Sequence, residues 1–280
     1  MQLKKYGLNL ISVTALGIGS VVGAGIFALL GQVIMMAGDQ TYYAFIIAGV
    51  AALFSGYSYS RLAAAYPDSG GLTDYFHIAF KKRWVVGTFS LIYMMTSAVS
   101  ICMMAKSFGI YAVKLFPHVQ DTNFFINAAA CFLIVGLAAL NMQRSKDVGN
   151  TEIVMVSIKM GILLSLIIAA LIHYDIAEKM QTIPFNEVKF MGSIGVTFFA
   201  FAGYGVITNA AGDVKNPQRT ITWGIFLTIL IVIGLYLALA FVALHFIPAK
   251  ELMANADIAV AVAANRLMGD WGYALMYITA

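Results

Sequence analysis

The sequence predicts an all-α membrane protein with two interrupted spans, and three observations carry that prediction. Hydrophobic residues make up 61% of the 280 and charged residues 11%, with a mean hydropathy of +0.86, which excludes an ordinary soluble domain. Apolar stretches long enough for a hydrocarbon core, ~20 residues each, recur along the chain. Two of them carry glycine clusters where a helix would pass the bilayer midplane: GIGSVVGAGIF (17–27) and FFAFAGYGVITNAAGDVKNP (198–217). The ten-residue alternation of an outer-membrane barrel is absent from the sequence.

The first span, near 8–36, follows MQLKKYGLNL, which has a basic start but no small-residue cleavage site. It is therefore expected to stay as a span and not to be removed as a signal. Its Gly19-x-x-x-Gly23 pattern suits close helix packing, and packing does not exclude unwinding. The second span lies near 41–66 and is followed by a polar, basic loop, PDSGGLTDYF (67–76) with Lys81, Lys82 and Arg83. Spans three and four fall near 84–113 and 124–142, and the loop NMQRSKDVGNTE (141–152) leads to span five, near 151–173. A mixed-charge connection (173–189) precedes span six, near 190–212, and span seven follows near 220–247. The stretch 247–270 reads as a re-entrant or surface helix, because Asp257, Asn265 and Arg266 dilute its Ala and Val content. An eighth span opens at 271–280. No soluble domain separates out, so 1–280 reads as one transmembrane domain.

All five prolines (Pro67, Pro117, Pro184, Pro217, Pro248) sit at boundaries, where they end helices. Interior breaks must then come from glycine. Gly203 and Gly205 interrupt span six, five spans after the glycines of span one, as an inverted repeat of five helices requires. Unwinding is expected at 23–25 and 201–203. Backbone opened at that depth must line a cavity and meet a ligand, an ion or water.

With the N-terminus cytoplasmic, the inside segments hold Lys4, Lys5, Arg61, Lys81, Lys82, Arg83, Arg144, Lys146, Lys215 and Arg219. The outside segments hold Lys114, Lys179, Lys189, Lys250 and Arg266. Ten against five satisfies the positive-inside rule. The expected location is the plasma (inner) membrane, and the basic residues call for no nucleic-acid partner.

Enzyme motifs are absent from the sequence: no G-x-S-x-G elbow, no H-E-x-x-H and no Walker loop. The acidic residues fall at span ends or in loops, so intramembrane acid–base hydrolysis lacks its groups. Cys102 and Cys131 lie in apolar spans and read as small buried hydrophobes. His77, His118, His173 and His245 are scattered without ligand spacing, so neither a metal nor a cofactor is expected. Two lysines lie within spans. Lys159, in VSIKMGILL, is flanked by apolar residues about eight positions into span five, and a lysine at such depth is a functional-site candidate. Lys106, nearer a span end, suits snorkelling. The aromatics Phe198, Phe199, Phe201 and Tyr204 crowd span six, where they either pack or line a pocket; Tyr93 in span three suits packing.

GIGSVVGAGIF, YPDSGGLTDYF, the lysine of span five and FFAFAGYGVITNAAGDVKNPQRT together resemble the amino acid–polyamine–organocation (APC) family, over essentially the whole chain. The resemblance implies a leucine-transporter-like inverted-repeat fold of five plus five helices, with helices 1 and 6 broken. It also implies a permease truncated after its seventh span, with the C-terminal spans missing. Gly23, Ala24 and Gly25 would donate backbone N–H groups to a substrate carboxylate. The carbonyls of Val21, Phe199, Ala200 and Ala202 would accept from the α-ammonium, with Phe201 and Gly203 completing the substrate-binding set. Lys159 matches the lysine that replaces a sodium ion in the proton-coupled branch. The chain departs from many relatives in having Gly205 and Gly212 where they carry acidic residues.

Elementary electrostatics favours the same site. A half-helix N-terminus offers free N–H groups and partial positive charge to an anion, while opened carbonyls suit a cation. An amino acid carries both. The expected function is a secondary active transporter of amino acids, proton-coupled through Lys159. Its partners are an amino acid, protons and membrane lipid. An amino acid/amine exchanger and a non-transporting seven-span receptor or scaffold are the alternatives.

Overall fold

A computed structural model describes residues 8–67, 71–114, 121–142, 148–173, 186–214 and 216–279. Lys4, Lys5, Asp68, Ser69, Gly70, Pro117, His118, Arg144, Lys146, Lys179, Pro184 and Lys215, which entered the loop and charge expectations, lie outside these residues. Among the described residues regular structure is helical, apart from a single parallel bridge between Leu8 and Val214.

The first span is two helices, α1 (Leu10–Val21) and α2 (Ala24–Ala37). At ~1.5 Å per residue each runs only about 20 Å, too short alone for a ~30 Å hydrocarbon core. A 3₁₀ turn at Gly38–Gln40 reverses the chain into α3 (Thr41–Ala65). The short α4 (Gly71–Ala79) leads to α5 (Arg83–Lys114), α6 (Thr122–Met142) and α7 (Val148–Ile172). The other broken span comprises α8 (Glu187–Phe201) and the single turn α9 (Val206–Asn209). After it come α10 (Pro217–Phe246), α11 (Ala249–Ala254), α12 (Ala259–Met268) and α13 (Asp270–Thr279).

Six stretches among the described residues are long and apolar enough to cross a membrane: Gly25–Ala65, Arg83–Val113, Thr122–Ala139, Ile153–Ile172, Glu187–Asn209 and Pro217–Phe246. The first, at 41 residues, is about twice one crossing, and the turn at Gly38–Gln40 folds it into α2 and α3.

Both broken spans open alike. Asn9 Oδ1 accepts from the Ser12 N–H at 2.8 Å and Asn186 Oδ1 from the Lys189 N–H at 2.9 Å, each satisfying a donor the first helical turn leaves orphaned. Pro217 starts α10 at a position where its missing N–H costs nothing. α10 is the spine of the core: it packs along α1 and α3, while α8 packs on α2 and α3. Its Ile221, Ile225, Val232, Tyr236 and Ala240 are fully buried.

Two expectations change here. The stretch after α10 is no surface helix, since Ala259 through Ala264 are at most 1% exposed and α12 packs on α2, α7, α10 and α13. Its polar residues are satisfied at its ends: Asp257 accepts from Gln32 Nε2 at 3.2 Å, and Arg266 pairs with Glu251. That leaves the Ala/Val centre free to be buried. Cys102 and Cys131 are exposed, not buried, because α5 and α6 pack on each other and turn broad apolar faces outward.

Candidate functional site

The two breaks lie against each other. α1 stops at Val21, and Val22 closes it by donating its N–H to the Ile18 carbonyl at 2.7 Å. Gly23 leaves the helical conformation at φ −97°, ψ −143°, and α2 starts at Ala24. The first turn of α2 has neither a side-chain cap nor an acidic residue, so its N–H groups present an uncapped positive end. Gly25, expected in the opened segment, already belongs to that turn. Its lack of a side chain has another use: a Cβ there would lie 3.4 Å from the Ala200 carbonyl oxygen, so α2 and α8 touch at this point.

The second break runs over 202–205, one residue beyond expectation at its start. Phe201 is still helical and fully buried. Ala202 turns extended (φ −60°, ψ 132°) while donating to the Phe199 carbonyl at 2.9 Å. Gly203 then takes φ +140°, which a residue with a Cβ rarely adopts. A Cβ there would also sit 2.8 Å from the Ser20 carbonyl oxygen of α1. The chain winds up again through tight i→i−3 bonds, Val206 N–H to Gly203 and Ile207 N–H to Tyr204, into α9.

Thus Gly25 of the first break abuts Ala200 of the second, and Gly203 of the second abuts Ser20, just before the first. Phe201 faces into the core, its ring centroid 5.2 Å from that of Tyr236. Phe199 is partly buried against the core, and Phe198, which is 38% exposed, faces outward.

Sequence reading missed Tyr236. From α10 its hydroxyl donates to the Val21 carbonyl at 3.0 Å and the Ala200 carbonyl at 3.1 Å, joining the two breaks with one shared proton. Each carbonyl keeps a second lone pair for another donor. The signal was present: a tyrosine buried in an otherwise aliphatic span must find a partner for its hydroxyl.

Lys159 lies beside the first break. Its half-buried side chain reaches from α7 to place Nζ 5.8 Å from the centroid of the Phe27 ring, four residues beyond Gly23, within cation–π range. Phe27 is held in turn by the Tyr111 ring, at a centroid distance of 6.0 Å, and its carbonyl accepts from Tyr111 Oη at 3.3 Å. Lys106 is exposed on α5, and Tyr93 is 42% exposed. No metal-holding cluster of His, Cys, Asp and Glu occurs among the described residues.

On the α9 side, the Tyr59 and Tyr204 rings meet edge to face at 5.8 Å. Thr208 Oγ1 donates back to the Gly205 carbonyl at 2.7 Å. Tyr75 of α4 is 4% exposed, and its Oη makes no hydrogen bond of ordinary length, although the Thr208 hydroxyl is close enough to act on it. Burial pushes the Tyr75 phenol above its usual value, partly offset by Thr208. It therefore stays a protonated donor at neutral pH.

Residues 8–280 match the family model described as amino acid permease. The chain belongs to the APC amino acid permease family. This permease is 40% identical over 273 residues to the inner membrane transport protein YbaT of Escherichia coli, covering 98% of the chain and 64% of that relative. It is 28% identical to the branched-chain amino acid permease BcaP of Bacillus subtilis, over 95% of the chain and 60% of that relative. To the chloroplastic cationic amino acid transporter 9 of Arabidopsis thaliana it is 26% identical, over 92% of the chain and 48% of that relative. The chain thus spans about two thirds or less of the length of these relatives. The family is one of transporters, in agreement with the expectation of a multi-pass, non-enzymatic membrane protein.

Proposed function

We propose that this permease chain carries the substrate site of a secondary active transporter that moves amino acids across the plasma (inner) membrane, with its N-terminus cytoplasmic. The observation that carries the reading is the abutment of two helix breaks of opposite character. At the first, the uncapped start of α2 suits a carboxylate. At the second, the end of α8 and the extended Ala202–Gly203 link offer carbonyl oxygens to an ammonium. The binding set is Val21, Gly23, Ala24, Gly25, Phe199, Ala200, Phe201, Ala202 and Gly203, with Tyr236 holding the Val21 and Ala200 carbonyls in place. Alternating access swings α1–α3 and α8–α10 against the scaffold of α5–α7.

Lys159 is read as the proton-coupling group. It lies within reach of α2 through Phe27, so a change in its charge bears directly on the half-helix that holds the carboxylate. Lys159→Ala is expected to abolish uptake driven by a pH gradient while leaving binding and counterflow exchange partly intact. PH-driven uptake at the parent rate would remove the coupling role. Uptake that needs internal amino acid and ignores the gradient would point to the exchanger. A thermal-shift screen of the twenty amino acids in detergent, at two pH values, tests the site itself. No shift with any of them, from protein that is folded, would overturn the reading.

A further inference from the structure

Short helix α4 has two faces engaged with different partners. One is anchored to α5: the Phe89 ring stacks on Phe80, just past the end of α4, at 5.4 Å and 10° between planes, and tilts against Phe76 at 5.4 Å. The other lies on α9, the inner half of the second broken span. There α4 begins at Gly71, whose φ of +60° suits a residue without a side chain. A Cβ at Gly71 would overlap Asn209 Oδ1, so the last residue of α9 seats its carboxamide against the first turn of α4. One turn on, the buried Tyr75 Oη, without a hydrogen-bond partner of its own, faces Thr208, whose hydroxyl proton is committed to the Gly205 carbonyl inside the break.

We infer that Tyr75 is a positioning residue for the second break: α4 straps α9 to the scaffold helix α5, and the inner side of the site opens only when this strap releases α9. The strap acts through Thr208. Thr208 keeps a lone pair on the side of Tyr75, so closing that contact fixes Thr208 and, with it, the Gly205 carbonyl. The Tyr75–Thr208 contact is a weak one, beyond ordinary hydrogen-bond geometry yet close enough for the Thr208 hydroxyl to act on the phenol, which suits a joint that must part repeatedly. Gly71 and Asn209 set its register, since a side chain at 71 would displace the Asn209 carboxamide from its seat on α4. This inference rests on the alternating-access reading above.

The test uses the protein in liposomes, with Cys102 and Cys131 replaced by alanine and the pair Tyr75→Cys and Thr208→Cys introduced. Oxidation is expected to lower amino acid uptake about tenfold, as locking a gating element does, and a reductant to restore it, with equilibrium substrate binding unchanged. Oxidised, cross-linked protein that transports at the reduced rate overturns the strap. A second measurement needs no substrate and no pair. A single Val206→Cys on α9 is labelled with a membrane-impermeant maleimide from the α4 side, with and without Tyr75→Phe. The expected result is several-fold faster labelling in the Tyr75→Phe background, and an unchanged rate overturns the inference. Failure of every amino acid to bind would sink the transport reading, while the labelling rates still decide the strap.

Discussion

Tyr236 has one hydroxyl proton and two carbonyls to share it between, at 3.0 and 3.1 Å, in a position with no exposure to solvent. Removing that donor leaves the Val21 and Ala200 carbonyls without a bond they now hold, and a buried acceptor left unsatisfied costs roughly 1–3 kcal/mol. Tyr236→Phe is therefore expected to lower the melting temperature in detergent and to weaken amino acid binding together, because one contact supports both. A variant that melts and binds like the parent would show that the hydroxyl holds nothing. Lys159 poses the opposite problem at this scale. Its charge meets an aromatic face, Phe27, in place of a carboxylate. Its place in span five was legible in the sequence because charge in an apolar run stands out. Tyr236 was overlooked because tyrosine in such a run is usually unremarkable packing.

The two interruptions belong to the scale of the element, and the glycine clusters announced both. What the clusters left open was which glycine does what. Gly203 holds a backbone angle closed to most residues and touches Ser20, whereas Gly25 is helical and its missing side chain lets α2 meet α8. Gly203→Ala is expected to cost about 1–3 kcal/mol through backbone strain, with further loss from the Ser20 overlap. Gly234→Ala on α10, where a Cβ meets nothing within 4 Å, is expected to be neutral or to stabilise by up to ~1 kcal/mol, the helix propensity of alanine over glycine. Thermal unfolding of the pair reads the contrast, and equal effects would refute the assignment of the break to Gly203. Helix α12 shows what periodicity leaves out. The polar residues of this stretch suggested a re-entrant or surface helix, but they lie at the ends of α12, where Asp257, just before it, and Arg266 find partners in Gln32 and Glu251. Only the packing of α2, α7 and α10 around it reveals that the centre is core.

For the whole molecule, the order of spans and the excess of lysine and arginine on one side specify which ends share a face. In the proposed topology Lys82, which follows α4, and Lys250, on α11, lie on opposite sides of the membrane; both are exposed. In a background without Cys102 and Cys131, Lys82→Cys is expected to react with an impermeant maleimide only from the cytoplasm, and Lys250→Cys only from outside. Labelling of both from the same side would reverse or break the proposed topology. The outward apolar faces of α5 and α6 also belong to this scale. Composition said that these helices are apolar all round, which is why the cysteines were expected inside. Which face turns inward depends on the neighbours each helix has, and no pattern in an all-apolar helix encodes that.

The resemblance of the chain's motifs pointed to the family, while hydropathy and glycine placement by themselves determined the class of protein and the existence of two broken spans. Each of those follows from local chemistry: bilayer thickness sets span length, and only glycine opens a helix there without proline. The meeting of the breaks, the tyrosine that bridges them, the ring that receives Lys159 and the strap from α4 to α9 were decided by tertiary structure. They join residues up to 215 positions apart, and contacts of that range depend on how helices cross, which is set by side-chain shape on every neighbouring helix at once.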